Sequence, residues 1–134
     1  MAYQIRMCFQ DVDGEGIVYH ANYLKYAERA RTEWLAQMGI KNQEIMDMGV
    51  AMVLHRVEMD FVSPARLDDM LDIDVRVTVS KNASTILEQT ISVADQPKVH
   101  IKLQLVYVNT QTLRPTRIPA ILKQKFEESM KGNK

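Results

Sequence analysis

Residues 11–35 read DVDGEGIVYHANYLKYAERARTEWL, from Asp11 to Leu35. A short acidic loop with two glycines runs straight into a helical pattern. At about 100° per residue, Tyr23, Leu24, Tyr26, Ala27, Ala30, Trp34, Leu35 and Met38 cover roughly half of the wheel. Lys25, Arg29, Thr32 and Ala36 take the other side. The pattern predicts a helix from Ala21 to Met38, with Gly39 placed to stop it. An arc that wide needs cover on several sides, and Ala27 and Ala30 leave room for a sheet to approach closely.

The rest of the chain supplies that cover. Ile5 to Phe9 reads as a short strand, and Asn42 to Met48 as a short helix ended by Gly49. The period then changes to two. Ala51, Val53, His55, Val57, Met59 and Phe61 predict one apolar strand face, and on it His55 reads as a satisfied core histidine. Leu71, Ile73, Val75, Val77 and Val79 form a second such face, and Val99, Ile101, Leu103, Leu105 and Tyr107 another. A weaker run covers Ser84 to Ala94. These are half-buried antiparallel strands. Ser80-Lys81-Asn82 and Asp95-Gln96-Pro97 read as hairpin turns, Ser63 to Asp68 as a longer crossover, and Ile118 to Met130 as a terminal helix. The economical packing is an α+β fold, one curved antiparallel sheet wrapped around the long helix.

The 134 residues suit a single domain, residues 1–134, and 46% hydrophobic residues suffice for a core. Lys+Arg and Asp+Glu both number 17, so no global field favours nucleic acid or an anionic membrane. Cys8 is the one cysteine and has no partner for an intramolecular disulfide. Met1 to Arg6 lacks the basic and apolar segments of a secretion signal, and no apolar run is long enough for a bilayer. The expected location is the cytoplasm.

Three chemistries compete for the acidic loop. Asp11, Asp13, Glu15 and Gly16 imitate the first half of a calcium loop, but Asn22 stands where a bidentate Glu is required and a strand precedes it. A solvated turn is the plain alternative. The third reading uses the helix behind the loop. A helix start exposes unpaired N–H groups and a positive dipole end, which can stabilise an oxyanion. A carboxylate just ahead of it can serve as base or nucleophile, and together these are parts of an acyl-transfer site.

The stretch from Asp11 to Leu35 resembles the hotdog-fold acyl-CoA thioesterases, in the branch of 4-hydroxybenzoyl-CoA thioesterase and the Tol-Pal-associated acyl-CoA thioesterases. The resemblance rests on Asp-x-Asp-x-x-Gly-x-Val-Tyr-His-x-Asn-Tyr followed by Glu-x-Ala-Arg. FVSPARLDDMLDIDVRV, residues 61–77, is similar to the next recurring segment of that branch. The resemblance implies a single hotdog domain that hydrolyses an acyl-CoA, with acyl carrier protein as another possible carrier of the acyl group. It implies a homodimer or homotetramer and no metal or cofactor. It places the catalytic carboxylate on Asp13 and the carbonyl-polarising N–H on His20, whose ring has a proposed role in the Tol-Pal-associated group. Tyr19 and Asn22 match structural or site-shaping positions and count as substrate-binding candidates. Lys81 matches a hairpin region that meets CoA phosphates in some relatives. Glu15 departs from the small residue common at its position.

On this reading Asp13 either attacks the thioester to give an anhydride or activates water. A hotdog dehydratase or hydratase would pair His20 with Glu33, which faces away from most of the apolar arc. A non-catalytic acyl-CoA or acyl-carrier-protein binding module would tolerate loss of Asp13. Cys8 has no patterned partner for a nucleophilic role. Arg31 lies inside the apolar arc and needs a buried partner, for which Glu28 is the candidate. Met46, Met48, Met52 and Met59 could line an adaptable acyl pocket or serve as core.

Overall fold

In the computed structural model, which describes residues 3–132, the alternating segments form one six-stranded sheet. The strands are β1 (Tyr3–Arg6), β2 (Val50–Phe61), β3 (Met70–Ile73), β4 (Arg76–Ser80), β5 (Ser84–Val93) and β6 (Gln96–Asn109). Their order is β1-β3-β5-β6-β2, with β4 paired to β5. The helices are α1 (Asn22–Gln37), α2 (Asn42–Asp47) and α3 (Ala120–Gly132). No helix among the described residues is long and apolar enough to cross a membrane.

The chain forms two compact units. One takes the residues through Trp34, Met59–Val75 and Gln89–Ile101; the other takes Leu35–Glu58, Arg76–Glu88 and the chain from Lys102 onward. In the first unit α1 buries Tyr23, Tyr26, Ala27 and Ala30, as the wheel predicts. The small side chain of Ala27 leaves its carbonyl within reach of β5, and Gln89 Nε2 donates to it at 3.0 Å. Gln89 is also the partner that Arg31 needs. Arg31 Nη1 donates to Gln89 Oε1 at 2.9 Å, so the half-buried guanidinium is held by an amide on the sheet. Burial pulls the Arg31 pKa down, and the charge of Glu28 opposes this.

β5 reads weakly in sequence because its dry face is partly polar. Thr85, Leu87, Gln89 and Ile91 are all buried. In the second unit Thr85 shares a 2.5 Å hydrogen bond with the Tyr107 hydroxyl, whose pKa burial pushes up to about 12. β6 buries Val99, Ile101, Leu103, Leu105 and Tyr107, matching its alternation.

Four expectations change. β1 ends at Arg6, and Phe9–Asp11 is a 3-10 turn because the Asp11 carboxylate accepts the Cys8 N–H. The run from Leu71 to Val79 is two strands, interrupted where Asp74 Oδ1 takes the N–H of Thr90 at 2.6 Å, with an irregular register between Val77 and Val79. The turn after β5 sits on Ala94 and Asp95, both at positive φ, ahead of Gln96 and Pro97, which already belong to β6. On β2 the apolar alternation does not mark a dry face: Val53, Leu54 and His55 are exposed. β2 ends the sheet order, so a period-two pattern there does not require cover from this chain. His55 is therefore not a core histidine.

Gln89→Leu keeps roughly the side-chain volume and removes both hydrogen bonds, leaving a half-buried guanidinium without its amide partner. The expected loss is about 2–3 kcal/mol, read from urea unfolding. A variant within experimental error of the wild type would show that the Arg31–Gln89–Ala27 link contributes nothing net.

Candidate active site

The loop from Asp11 to Tyr19 closes on itself in the first unit. Val12 bridges Val18, and Asp13 N–H donates to the Ile17 carbonyl at 2.9 Å. The Asp11 carbonyl accepts the Tyr19 N–H and the Asn22 Nδ2, each at 3.1 Å. The Asp11 side chain is buried, with Oδ1 accepting the Tyr26 hydroxyl at 2.5 Å. Its Oδ2 accepts the Cys8 N–H at 2.9 Å and the Cys8 thiol at 3.0 Å. Gly16, at φ +75, supplies the left-handed residue that the tight turn needs.

Within this ring Asp13 is exposed and oriented. Its Oδ1 accepts the N–H groups of Glu15 at 2.9 Å and Ile17 at 3.2 Å. Its Oδ2 takes no protein donor among the described residues. The arrangement is a side-chain turn that fixes the carboxylate plane while leaving one oxygen available.

The loop delivers the chain to the start of α1. Asn22 N–H donates to the Tyr19 carbonyl at 3.0 Å, whereas the N–H groups of His20 and Ala21 have no protein acceptor among the described residues. The His20 ring packs between Tyr19, at 4.7 Å between centroids, and Phe61, at 6.4 Å edge-on. The ring makes no hydrogen bond to the helix start among the described residues.

The crossover after β2 forms the opposite wall. Ala65 N–H donates to the Tyr23 hydroxyl at 3.1 Å, and Val18 N–H donates to the Ala65 carbonyl at 2.9 Å. Burial raises the Tyr23 hydroxyl pKa, the Ala65 bond opposes this, and the charge of Asp69 adds to the rise. The neutral hydroxyl serves as an anchor for the crossover. Between loop and crossover lies a cleft of about 390 Å³, lined by Asp13, Ile17, Tyr19, His20 and Tyr23 on one side and Phe61 to Pro64 on the other. A single carboxylate, a helix start with free N–H groups and an aromatic wall therefore share one cavity.

Of the sequence candidates, Asp13, Tyr19 and His20 meet in this cleft. Asn22 stands behind it and braces the Asp11 carbonyl. Lys81 does not line the cleft; it is exposed in the turn between β4 and β5, and its N–H donates to the Ser84 carbonyl at 2.8 Å. Glu33 lines a separate groove with Tyr3, Lys25, Glu28, Arg29 and Thr32. Eleven residues of helix from Asn22 carry it about 16 Å along the axis, so it does not pair with His20. Met46 and Met48 are exposed, Met52 and Met59 are half-buried, and none lines the cleft. Sequence reasoning missed Asp11, Tyr23, Tyr26 and the Phe61–Pro64 wall. Two tyrosines on the buried arc were the available signal, because buried hydroxyls need partners.

A family model for the thioesterase-like superfamily matches residues 8–126. The acyl-CoA thioester hydrolase YbgC of Escherichia coli is 32% identical over 125 residues, which cover 92% of this chain and 93% of that protein. Among solved structures, a probable thioesterase from Bartonella henselae superposes with a TM-score of 0.82 at 31% identity, covering 89% of this chain and 98% of that one. A 1,4-dihydroxy-2-naphthoyl-CoA thioesterase from Synechocystis shares the fold, with a TM-score of 0.87 at 22% identity and 95% coverage of both chains.

Asp11 sets an acid limit on this arrangement. Burial alone raises its pKa. The bonds from the Tyr26 hydroxyl, the Cys8 N–H and the Cys8 thiol, with the charge of Lys25, outweigh burial and hold the pKa below its ordinary 3.8. A carboxyl depressed in the folded state stabilises the protein above its unfolded pKa, and that contribution fades as pH falls through the folded pKa. Urea unfolding followed from pH 6 down to pH 2.5 should therefore show Asp11→Asn losing less stability on acidification than the wild type. Parallel losses would exclude Asp11 as a contributor.

Proposed function

The chain belongs to the thioesterase-like superfamily and is an acyl-CoA thioester hydrolase with the hotdog fold, and we propose that Asp13 and the N-terminus of α1 at His20 carry its chemistry. The observation that supports this most is the cleft that Asp13 and His20 share, with Asp13 Oδ1 engaged by two N–H groups and Oδ2 unengaged. The thioester oxygen docks on the free N–H of His20. One such preorganised donor is worth about 3 kcal/mol of barrier. Asp13 Oδ2 then attacks the carbonyl carbon and expels the CoA thiolate, giving an anhydride that water cleaves, or it takes a proton from a water that attacks instead. The thiolate leaves readily because a thiol of this kind has a pKa of about 8.5, so no strong acid is needed beside it.

Tyr19 and the His20 ring shape the cleft, and Asn22 keeps the loop in register. Lys81, an exposed cation, is a contact for CoA phosphates from the turn between β4 and β5. Residues 1–134 act as one thioesterase domain in the cytoplasm, assembled as a homodimer or homotetramer. The exposed Val53 and Leu54 on a strand that ends the sheet order support assembly through that edge. The acyl group is carried by CoA, with acyl carrier protein as the alternative carrier.

Asp13→Asn is expected to abolish thiol release from acetyl-, hexanoyl- and benzoyl-CoA with the fold retained by circular dichroism. A fully active variant would end this mechanism. Single turnover in heavy-oxygen water bears on the choice between the two chemistries: label entering the Asp13 carboxylate identifies the anhydride route and excludes simple general-base action. Lys81→Ala should raise KM for acyl-CoA with kcat little changed, and an unchanged KM would remove Lys81 from the site.

A further inference from the structure

We propose that Asp11, held by the hydroxyl of Tyr26, is the positioning residue that sets the Asp13 carboxylate relative to the helix start at His20. This inference rests on the reading that those two groups react. Asp11 joins three parts of the first unit through different atoms. Oδ1 binds the Tyr26 hydroxyl on the second turn of α1, at 2.5 Å. Oδ2 binds the Cys8 amide and thiol at the end of the β1 segment, at 2.9 and 3.0 Å. The main-chain carbonyl receives Tyr19 N–H and Asn22 Nδ2, both at 3.1 Å.

The consequence is geometric. The loop leaves Asp11 and returns to it at Tyr19, so Asp13 lies two residues after the anchor and His20 one residue after the return point. Tyr26 belongs to the helix that begins at Asn22, two residues after His20, whose N–H has no protein acceptor among the described residues. Asp11 thus refers the carboxylate and the oxyanion donor to one rigid element. A helix surrounded by packed side chains holds this reference better than the loop's own bonds could, because Tyr26 is fully buried while Asp13 to Glu15 are exposed. Burial, the Asp11 hydrogen bond and the Asp11 charge all raise the Tyr26 pKa, so the hydroxyl keeps its proton and remains the donor. None of Asp11, Tyr26 and Cys8 lines the cleft.

A misplaced reacting group costs rate rather than ground-state binding. Tyr26→Phe retains the ring and removes only the donor, so it is the primary variant, with Asp11→Asn as the second and the double variant closing the cycle. Thiol release from hexanoyl-CoA should fall about tenfold in kcat for Tyr26→Phe with KM within about twofold. The double variant should lose no more than Asp11→Asn alone, because Tyr26 acts through Asp11. Amide hydrogen exchange at Tyr19 should quicken in both single variants and stay unchanged in Asp13→Asn. Wild-type kcat in Tyr26→Phe, or losses that multiply in the double variant, would overturn the inference. If the wild type released no thiol, the catalytic reading would fail by itself, and exchange at Tyr19 would still decide whether Asp11 holds the loop: unchanged exchange in Tyr26→Phe would reject it.

Discussion

A buried carboxylate facing a tyrosine hydroxyl fixes the geometry of the candidate site. Asp11 is removed from water, which alone would favour its neutral form, yet three donors and a nearby lysine keep it charged. An acceptor so placed tolerates little movement of its donors. The loop that begins and ends on its main chain inherits that rigidity, although much of the loop faces solvent. The exposed candidate carboxylate of Asp13 is thereby mounted on a buried support, which is the usual division of labour between functional loops and packed elements.

The same use of buried polar atoms recurs where α1 meets β5. Gln89 has an acceptor and a donor at the end of one side chain, and it spends them on Arg31 and on the Ala27 carbonyl. An apolar residue there would fill the space without meeting the charge of the guanidinium. The amide therefore fixes how α1 lies on β5 within the first unit, along the helix that also presents His20. The placement of α1 on β5 and of the loop on α1 rests on these polar contacts as well as on apolar packing.

The cleft is completed by residues whose exposure would otherwise be a cost. Phe61 and Val62 are each more than half exposed at the end of β2, next to Tyr19 and the His20 ring. An aromatic and aliphatic wall beside an accessible carboxylate suits a substrate with a polarisable carbonyl and an apolar acyl part. It also lowers the local dielectric around the helix start, which strengthens any hydrogen bond made there.

The sequence by itself determined the long helix, the antiparallel sheet against it and the candidate chemistry. A wide apolar arc with Ala27 and Ala30 allows only a helix under a sheet, and the period-two runs supply that sheet. Asp13 and His20 stood out as candidates because an acidic turn ahead of a helix start has few chemical uses, and the motif around them carries a family likeness. The tertiary structure alone decided which polar residues are buried and with whom. Asp11 looks like any loop acid, Gln89 weakens its strand pattern, and Arg31 reads as a mate for Glu28, because hydropathy records whether a side chain dislikes water but not which distant partner satisfies it. It also decided that the alternation on β2 marks an edge and that His55 lies outside the core. Sequence period fixes which residues share a face, whereas cover for that face depends on where the strand falls in the sheet.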